Sequence, residues 1–293
     1  FRRVLFRSMW SSLGTDEDVL WSKLEAGGLS GQEAIGEIQA RVVDLSFDRK
    51  GCRIIQKAME DAQLTVCQAM ACKLQGYVKT AAKSPHANHV IQKIIDVMPA
   101  TLTGFISEEL IDSAAAVACH KFGCRILCRL VEHQHADDCP TTTTLLIDDL
   151  LSDAALLCCN SFGRYVMSSI LEHGSLDQQH RLALAICWNL QSLVRDRFAS
   201  FVVQNTFIFC SKDDQQMLAA SLLSSGGNSD DVMVDFAMHA YANAVIQALL
   251  ISQCTDYAWN NPPQGSWRPR DGIALLKLKS LWPSGDQDVI CAW

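Results

Sequence analysis

The side chains in this sequence best placed to do chemistry are amides, thiols and hydroxyls set four residues apart. Asn88 and Gln92 form such a pair, with His89 beside them, in the stretch Ser84-Pro85-His86-Ala87-Asn88-His89-Val90-Ile91-Gln92-Lys93. On a helix, positions i and i+4 share a face, so the two carboxamides make a fork that can meet one flat hydrogen-bonding edge. Related triplets recur as Cys52-Arg53 with Gln56, Cys124-Arg125 with Cys128, Arg164-Tyr165 with Ser168, Ser200-Phe201 with Gln204, and Asn243-Ala244 with Gln247. A carboxamide offers both a donor and an acceptor. Asn with Gln therefore suits a uracil edge, and Gln with a small Cys or Ser suits adenine. Arg53, His89, Arg125, Tyr165 and Phe201 supply planar groups between the forks, each worth ~1–3 kcal/mol if it stacks a base. Ala244 cannot stack. A row of forks and planes is the complement of a single-stranded nucleic acid.

The elements that must position these triplets follow from their spacing. Cys52, Asn88, Cys124, Arg164, Ser200 and Asn243 are separated by 36, 36, 40, 36 and 43 residues. A period near 36 is the mark of a stacked repeat array. Within the first period, Ile54, Ile55, Ala58 and Met59 form one apolar stripe. Cys67, Met70, Ala71 and Leu74 form a second, and Val78, Ala81 and Ala82 a third, before Pro85 marks a boundary. Each unit is thus predicted to be three short helices that bury their apolar faces only by stacking, which makes the chain an all-α solenoid. The two longer steps place polar inserts, expected as surface loops, at Thr141–Thr144 and Ser224–Asp230. The expected organisation is a leader or cap over 1–31, where Gly27, Gly28 and Gly31 break a helical start, and a six-repeat array over 32–254. A non-repeat tail over 255–293 follows; it holds four of the seven Pro and four of the seven Trp, against continuation of the repeat.

Composition bounds the function. With 25 Lys plus Arg against 32 Asp plus Glu the formal charge is −7, which argues against a generic polyanion binder. The basic residues nevertheless gather around the triplets, at Arg49, Lys50, Arg53, Lys57, Lys93, Lys121, Arg125, Arg129, Arg164, Arg195 and Arg197, while acids crowd elsewhere, as at Glu108-Glu109 and Asp213-Asp214. The 13 cysteines are odd in number, form no CxxC pair and fall mostly in apolar helical runs, such as Cys67, Cys72, Cys119 and Cys187; they are expected as free buried thiols. No apolar run approaches the ~18 residues of a membrane span, so no membrane association is expected. Residues 1–8 are too short for a signal peptide.

Two rival constellations are weaker. Cys119, His120, Cys124, Cys128, His133, His135 and Cys139 have ligand types that suit zinc, but their spacing fits no finger, and the repeat register already accounts for Cys124 and Cys128. No metal or cofactor is expected. Glu172-His173-Gly174-Ser175 has no nucleophile elbow and no organised acid partner, and is expected as a loop at a helix end. With no P-loop or GxGxxG, no enzymatic activity is expected.

At the triplets and their flanks, notably Phe122-Gly123-Cys124-Arg125, the sequence resembles the Pumilio, or PUF, family of RNA-binding repeat proteins, over about residues 32–254. The resemblance implies a right-handed crescent of three-helix repeats with RNA on its concave face, each repeat facing one base and the N-terminal repeat facing the 3′ end. It assigns adenine to Cys52/Gln56 and Ser200/Gln204, and uracil to Asn88/Gln92 and Asn243/Gln247. Cys128 stands where Gln is usual, Arg164 with Ser168 is no familiar pair, and no repeat has the Ser…Glu pair used for guanine. The expected target is then 5′-U-A-n-n-U-A-3′, read by six repeats where eight are usual. The resemblance further implies a monomer that binds mRNA 3′ untranslated regions, represses or destabilises messages with deadenylation or translation-repression factors, and works in the cytoplasm, or alternatively the nucleolus or nucleus. The alternatives are a protein-binding α-solenoid scaffold, or a ribosome-assembly factor that binds RNA without sequence preference.

Overall fold

A computed structural model describes residues 16–134, 141–223 and 235–260, the last eight of these by their backbone alone. Among the described residues there are helices and no strand. The helices form two compact units, one up to Asp149 and one from Leu150.

The first unit opens with α1 (Asp16–Ala26) and α2 (Gly28–Ala40) packed together. Gly27 separates them in a left-handed conformation, φ 66°, which L side chains rarely adopt. Gly31 lies inside α2, so the expected break is confined to Gly27-Gly28, and the boundary expected at 31/32 falls within a helix. The repeats follow. The first has α4 (Gly51–Asp61), α5 (Leu64–Cys72) and α6 (Val78–Ala81), after the short α3 (Val42–Phe47) that closes the preceding unit. The second has α7 (Ala87–Val97), α8 (Ala100–Leu110) and α9 (Ala114–Ala118), with a 3₁₀ turn over Ile111–Ser113. The third begins with α10 (Gly123–Glu132) and α11 (Thr141–Ser152). Three short helices per unit is the predicted pattern, and the predicted stripes of the first repeat are all buried, Ile55, Met70 and Val78 completely.

In the second unit α12 (Ala154–Cys158) precedes α13 (Gly163–His173), α14 (Leu176–Trp188) and α15 (Leu190–Leu193) of the fourth repeat. The fifth has α16 (Ala199–Phe209) and α17 (Lys212–Leu223), and α18 (Ala242–Asn260) carries the sixth triplet. The helices that carry the triplets stack in order, α4 on α7 on α10 in the first unit and α13 on α16 on α18 in the second. α18 runs through the boundary expected at 254 without a break.

Two loop expectations part company. Thr141–Thr144 is the first turn of α11 rather than a loop, because its hydroxyls find partners on α8. Thr143 Oγ1 meets Ser107 Oγ at 2.8 Å in a buried contact, and Thr142 donates to Gly104 O. By contrast, Glu172-His173-Gly174-Ser175 is a helix junction as expected: Ser175 caps α14 in a reciprocal capping box with Gln178. Ser224–Asp230 and the segment Ile273–Leu281, expected as the tail's helix, lie outside the described residues.

The cysteine expectation holds only in part. Cys67 is buried, but Cys72 and Cys119 are exposed and Cys187 is intermediate; none of the ten cysteines whose side chains are described forms a disulfide. No helix among the described residues is long and apolar enough to cross a membrane.

Candidate nucleic-acid interface

Each triplet-bearing helix is launched by the same device. Four residues before the first triplet position stands a side chain that accepts hydrogen bonds from two successive backbone N–H groups. Asp48 Oδ1 takes those of Lys50 and Gly51, Ser84 Oγ those of His86 and Ala87, and His120 Nδ1 those of Phe122 and Gly123. Asn160 Oδ1 takes those of Phe162 and Gly163, Asp196 Oδ1 those of Phe198 and Ala199, and His239 Nδ1 those of Tyr241 and Ala242. The twelve distances run from 2.7 to 3.4 Å. These N–H groups open the helix and have no partner within it, so the acceptor fixes where the helix starts and hence the register of its triplet. The four residue types differ, which hides the pattern from a search by identity; the capacity of each side chain to accept a hydrogen bond and the constant offset were the available signal.

The first triplet position is buried in four repeats, where Asn88 is fully enclosed and Cys52, Cys124 and Ser200 are each 4% exposed, and half-buried at Arg164 and Asn243. The i+4 arm is half-buried at Gln56, Gln92 and Gln204 and exposed at Gln247. Each arm folds back on its own fork. Gln92 Nε2 donates to Asn88 Oδ1 at 2.9 Å, and Gln247 Nε2 to Asn243 Oδ1 at 2.8 Å. Gln56 and Gln204 donate to the carbonyls of Cys52 and Ser200. Asn88 and Asn243 are fixed in turn by donating to the Ser84 and Ala237 carbonyls. The first member of the fork therefore orients the second. The Gln carbonyl oxygen remains to meet a base edge, joined by one amide proton at Gln56, Gln204 and Gln247; Gln92 Nε2 also donates to the Asn88 carbonyl at 3.3 Å. Burial raises the Cys52 and Cys124 thiols above the ordinary cysteine range, so they act as protonated, small side chains.

The side-projecting groups are as exposed as stacking requires: Arg53 and Arg125 are exposed, Tyr165 and Phe201 are 45% and 41% exposed, and His89 is half-buried. Burial, followed by the nearby charges of Arg125 and His86, holds His89 below the usual imidazole range and favours its neutral ring. Between Arg53 and His89 lies an open pocket of about 330 Å³ lined also by Arg49, Cys52, Gln56, Pro85 and His86. The structure thus brings the first repeat's fork and the flanking planes of two repeats to one cavity. In the fourth repeat, Arg164 lies across Tyr165 instead, and Ser168 Oγ is buried with no hydrogen-bond partner. In the third, Cys128 is half-buried and offers no carboxamide.

The basic face needs correction. Lys93 pairs with Glu60 at 2.9 Å, Arg129 with Asp96 and Glu132, Lys57 with Asp61, Lys50 with Asp18, and Arg195 with Asp235. The Lys93–Glu60 and Arg129–Asp96 pairs are rungs that tie α4 to α7 and α7 to α10. Of the eleven basic residues gathered around the triplets, those without an acidic partner among the described residues are Arg49, Arg53, Lys121, Arg125, Arg164 and Arg197, and of these Lys121, Arg164 and Arg197 lie over aromatic rings. The zinc constellation is not assembled either. His120 is spent as a cap, His133 faces Asp96, His135 and Cys139 lie outside the described residues, and no three potential ligands gather among the described ones.

Comparison with known proteins agrees with this architecture. The family described as "Pumilio-family RNA binding repeat" matches residues 41–73, 80–111, 113–138, 154–187 and 189–223, together more than half of the chain. The sixth triplet lies beyond these segments but keeps the cap and the amide pair. Fem-3 mRNA-binding factor 2 of Caenorhabditis elegans is 29% identical over 108 residues, 34% of this chain but only 16% of that protein's length. Among solved structures, PUF-8 in complex with PBE-RNA superposes with a TM-score of 0.70 at 21% identity, covering 78% of this chain and 67% of that one. The Puf3 RNA binding domain bound to a Cox17 RNA 3′ UTR recognition sequence gives 0.68 at 20% identity, covering 90% and 80%. With its repeats matched one after another and its triplet helices stacked in the same order, this chain belongs to the Pumilio family of RNA-binding repeats.

Proposed function

We propose that the chain binds single-stranded RNA selectively by sequence, setting the triplet helices α4, α7, α10, α13, α16 and α18 against successive nucleotides. The observation that carries this is the orientation of the forks. A first residue that is buried in the first, second and fifth repeats and half-buried in the sixth holds a Gln arm at the surface, always eight residues after its cap. A scaffold that binds protein has no reason to repeat that arrangement. The first repeat's pocket has the donors, acceptors and planar walls a purine needs. The favoured target is 5′-U-A-n-n-U-A-3′, and the process served is post-transcriptional control of mRNA through 3′ untranslated sites, with recruited deadenylation or translation-repression factors, in the cytoplasm. The role is binding rather than catalysis, by a monomer.

The test exchanges a fork and a base together. Asn88→Ser with Gln92→Glu installs the family's guanine pair in the second repeat. Measured by fluorescence anisotropy at fixed salt, since phosphate contacts make affinity salt-dependent, the natural chain should prefer U over G at the fifth nucleotide of the target. The preference should be about 1–3 kcal/mol, the worth of a good base contact. The double variant should prefer G. Equal weakening on all RNAs refutes base reading, and no binding of any single strand even at low salt favours the protein scaffold.

A further inference from the structure

The fourth repeat carries a feature with no counterpart in the others. Arg164 occupies the first triplet position, where the other repeats have Cys, Asn or Ser. Its guanidinium carbon lies 4.4 Å from the centre of the Tyr165 ring, 5.4 Å from that of Phe201 and 5.5 Å from that of Phe198. Its Nη2 donates to the Tyr165 hydroxyl at 2.7 Å. Tyr165 and Phe201 are the side-projecting planes of the fourth and fifth repeats. By register, the fourth repeat's base belongs between them, as the pocket of the first repeat lies between Arg53 and His89.

A guanidinium is planar, stacks on aromatic faces and is only weakly hydrated, so it can take a base's place in such a stack. The polar atoms agree. Arg164 Nε and Ser168 Oγ are the two buried side-chain N or O atoms without a hydrogen-bond partner among the described residues. Ser168, the arm that should meet a base edge, is half-buried, and its hydroxyl is enclosed and reaches no partner among the described residues. The cation has no acidic partner among the described residues either; three aromatic faces and one hydroxyl hold it.

We propose that Arg164 is a resident base surrogate: its guanidinium fills the fourth repeat's slot, so that RNA crosses this repeat with one base outside the stack. The proposal rests on the RNA-binding function above and goes beyond it. An unread nucleotide is then caused by occupation of the slot, not by a weak fork, and one substitution opens the slot. The fourth nucleotide, facing the third repeat, is unaffected by this device.

The test uses three RNAs of the favoured sequence: intact, abasic at the third nucleotide, which faces the fourth repeat, and abasic at the sixth, which faces the first. For the natural chain, removing the third base should change affinity less than threefold, while removing the sixth should weaken it tenfold or more. In Arg164→Ala the third base should become worth fivefold or more, because Tyr165 and Phe201 are free to stack it. A natural chain that loses as much from the third abasic site as from the sixth overturns the proposal, and this comparison stands even if the variant does not fold. A folded Arg164→Ala that remains indifferent to the third base also overturns it. If no RNA binds, the RNA-binding function itself fails, and if no abasic site matters anywhere, its base selectivity fails; both results are distinct from the other two.

Discussion

The first and fourth repeats share a scaffold and differ in what stands between their planar walls. In both, an Asx side chain caps the triplet helix through two N–H groups, Asp48 in one and Asn160 in the other. In both, that helix begins with a glycine pressed against the backbone of the preceding short helix. Yet the first repeat presents a pocket with a Gln arm at its wall, and the fourth presents an arginine lying on its own tyrosine. The comparison teaches that repeat geometry and base reading are separable. Cap, glycine and apolar stripe make the repeat; the fork and the planes alone decide whether it is open.

The shared scaffold can be broken most severely at the glycines. A Cβ on Gly51 would lie 2.5 Å from Leu45 O, and one on Gly163 would lie 2.8 Å from Leu157 O. Gly51→Val should destabilise the protein by about 3 kcal/mol and Gly163→Val by about 2 kcal/mol, as overpacking against backbone does. Thermal or urea unfolding measures both. Gly123 makes the same approach to Val117 O in the third repeat, where a Cβ would lie 2.5 Å away, whereas Ala87, Ala199 and Ala242 stand at this register in the second, fifth and sixth, so the approach is close only where glycine permits it. If both valines are neutral, the repeats are not held by this contact.

The difference between the slots is sharpened by their walls. Arg53→Ala should cost RNA binding about 1–2 kcal/mol, within the range for a lost stacking partner, and nothing when the sixth nucleotide is abasic. Tyr165→Ala should change RNA affinity less than threefold, because the ring stacks the chain's own guanidinium. It should instead lower thermal stability by about 0.5–1 kcal/mol, the worth of a partly exposed cation–π contact. Equal losses of RNA affinity in the two variants would remove the distinction between an open and a filled slot.

How far the sequence displays this depends on which forces are local. The triplets, the period near 36 and the apolar stripes of the first repeat are legible because helical periodicity and repetition act along the chain. The depth of the fork is not: Asn88 is a polar residue with no exposure, and only packing against neighbouring repeats puts it there. The ladder Lys93–Glu60 and Arg129–Asp96 joins residues 33 apart, which is why a list of basic residues overstated the cationic face. Thr141–Thr144 shows a polar run that packs as a helix because its hydroxyls reach α8. Arg164 shows a side chain whose meaning depends on rings from two repeats. Where a residue's partner sits one period away, its type alone misleads.

The smallest effect separates the two caps by charge. Asp48 and Asn160 accept the same pair of N–H groups at similar distances, 2.8 and 2.7 Å against 2.8 and 3.0 Å, but only Asp48 titrates. The hydrogen bond from the Gly51 amide is the largest cause that holds its carboxyl below the ordinary value of 3.8, despite an opposing contribution from burial. A carboxyl with a lowered value in the folded state stabilises the fold fully above its unfolded value, and that contribution is lost as pH falls through the folded value. Below about pH 5 the unfolded chain binds protons that the folded chain resists, so this part of the stability must decline. Asp48→Asn keeps the acceptor oxygen and removes the titration. At pH 7 it should shift stability by no more than ~0.5 kcal/mol, since one good capping side chain replaces another. Between pH 5 and pH 3 its melting temperature should fall less steeply than that of the natural chain. Asn160→Asp should do the reverse and give the fourth repeat the acid sensitivity of the first. Melting curves for the three proteins across that window decide the matter: parallel declines would mean that the Asp48 carboxylate draws nothing from the amides it caps.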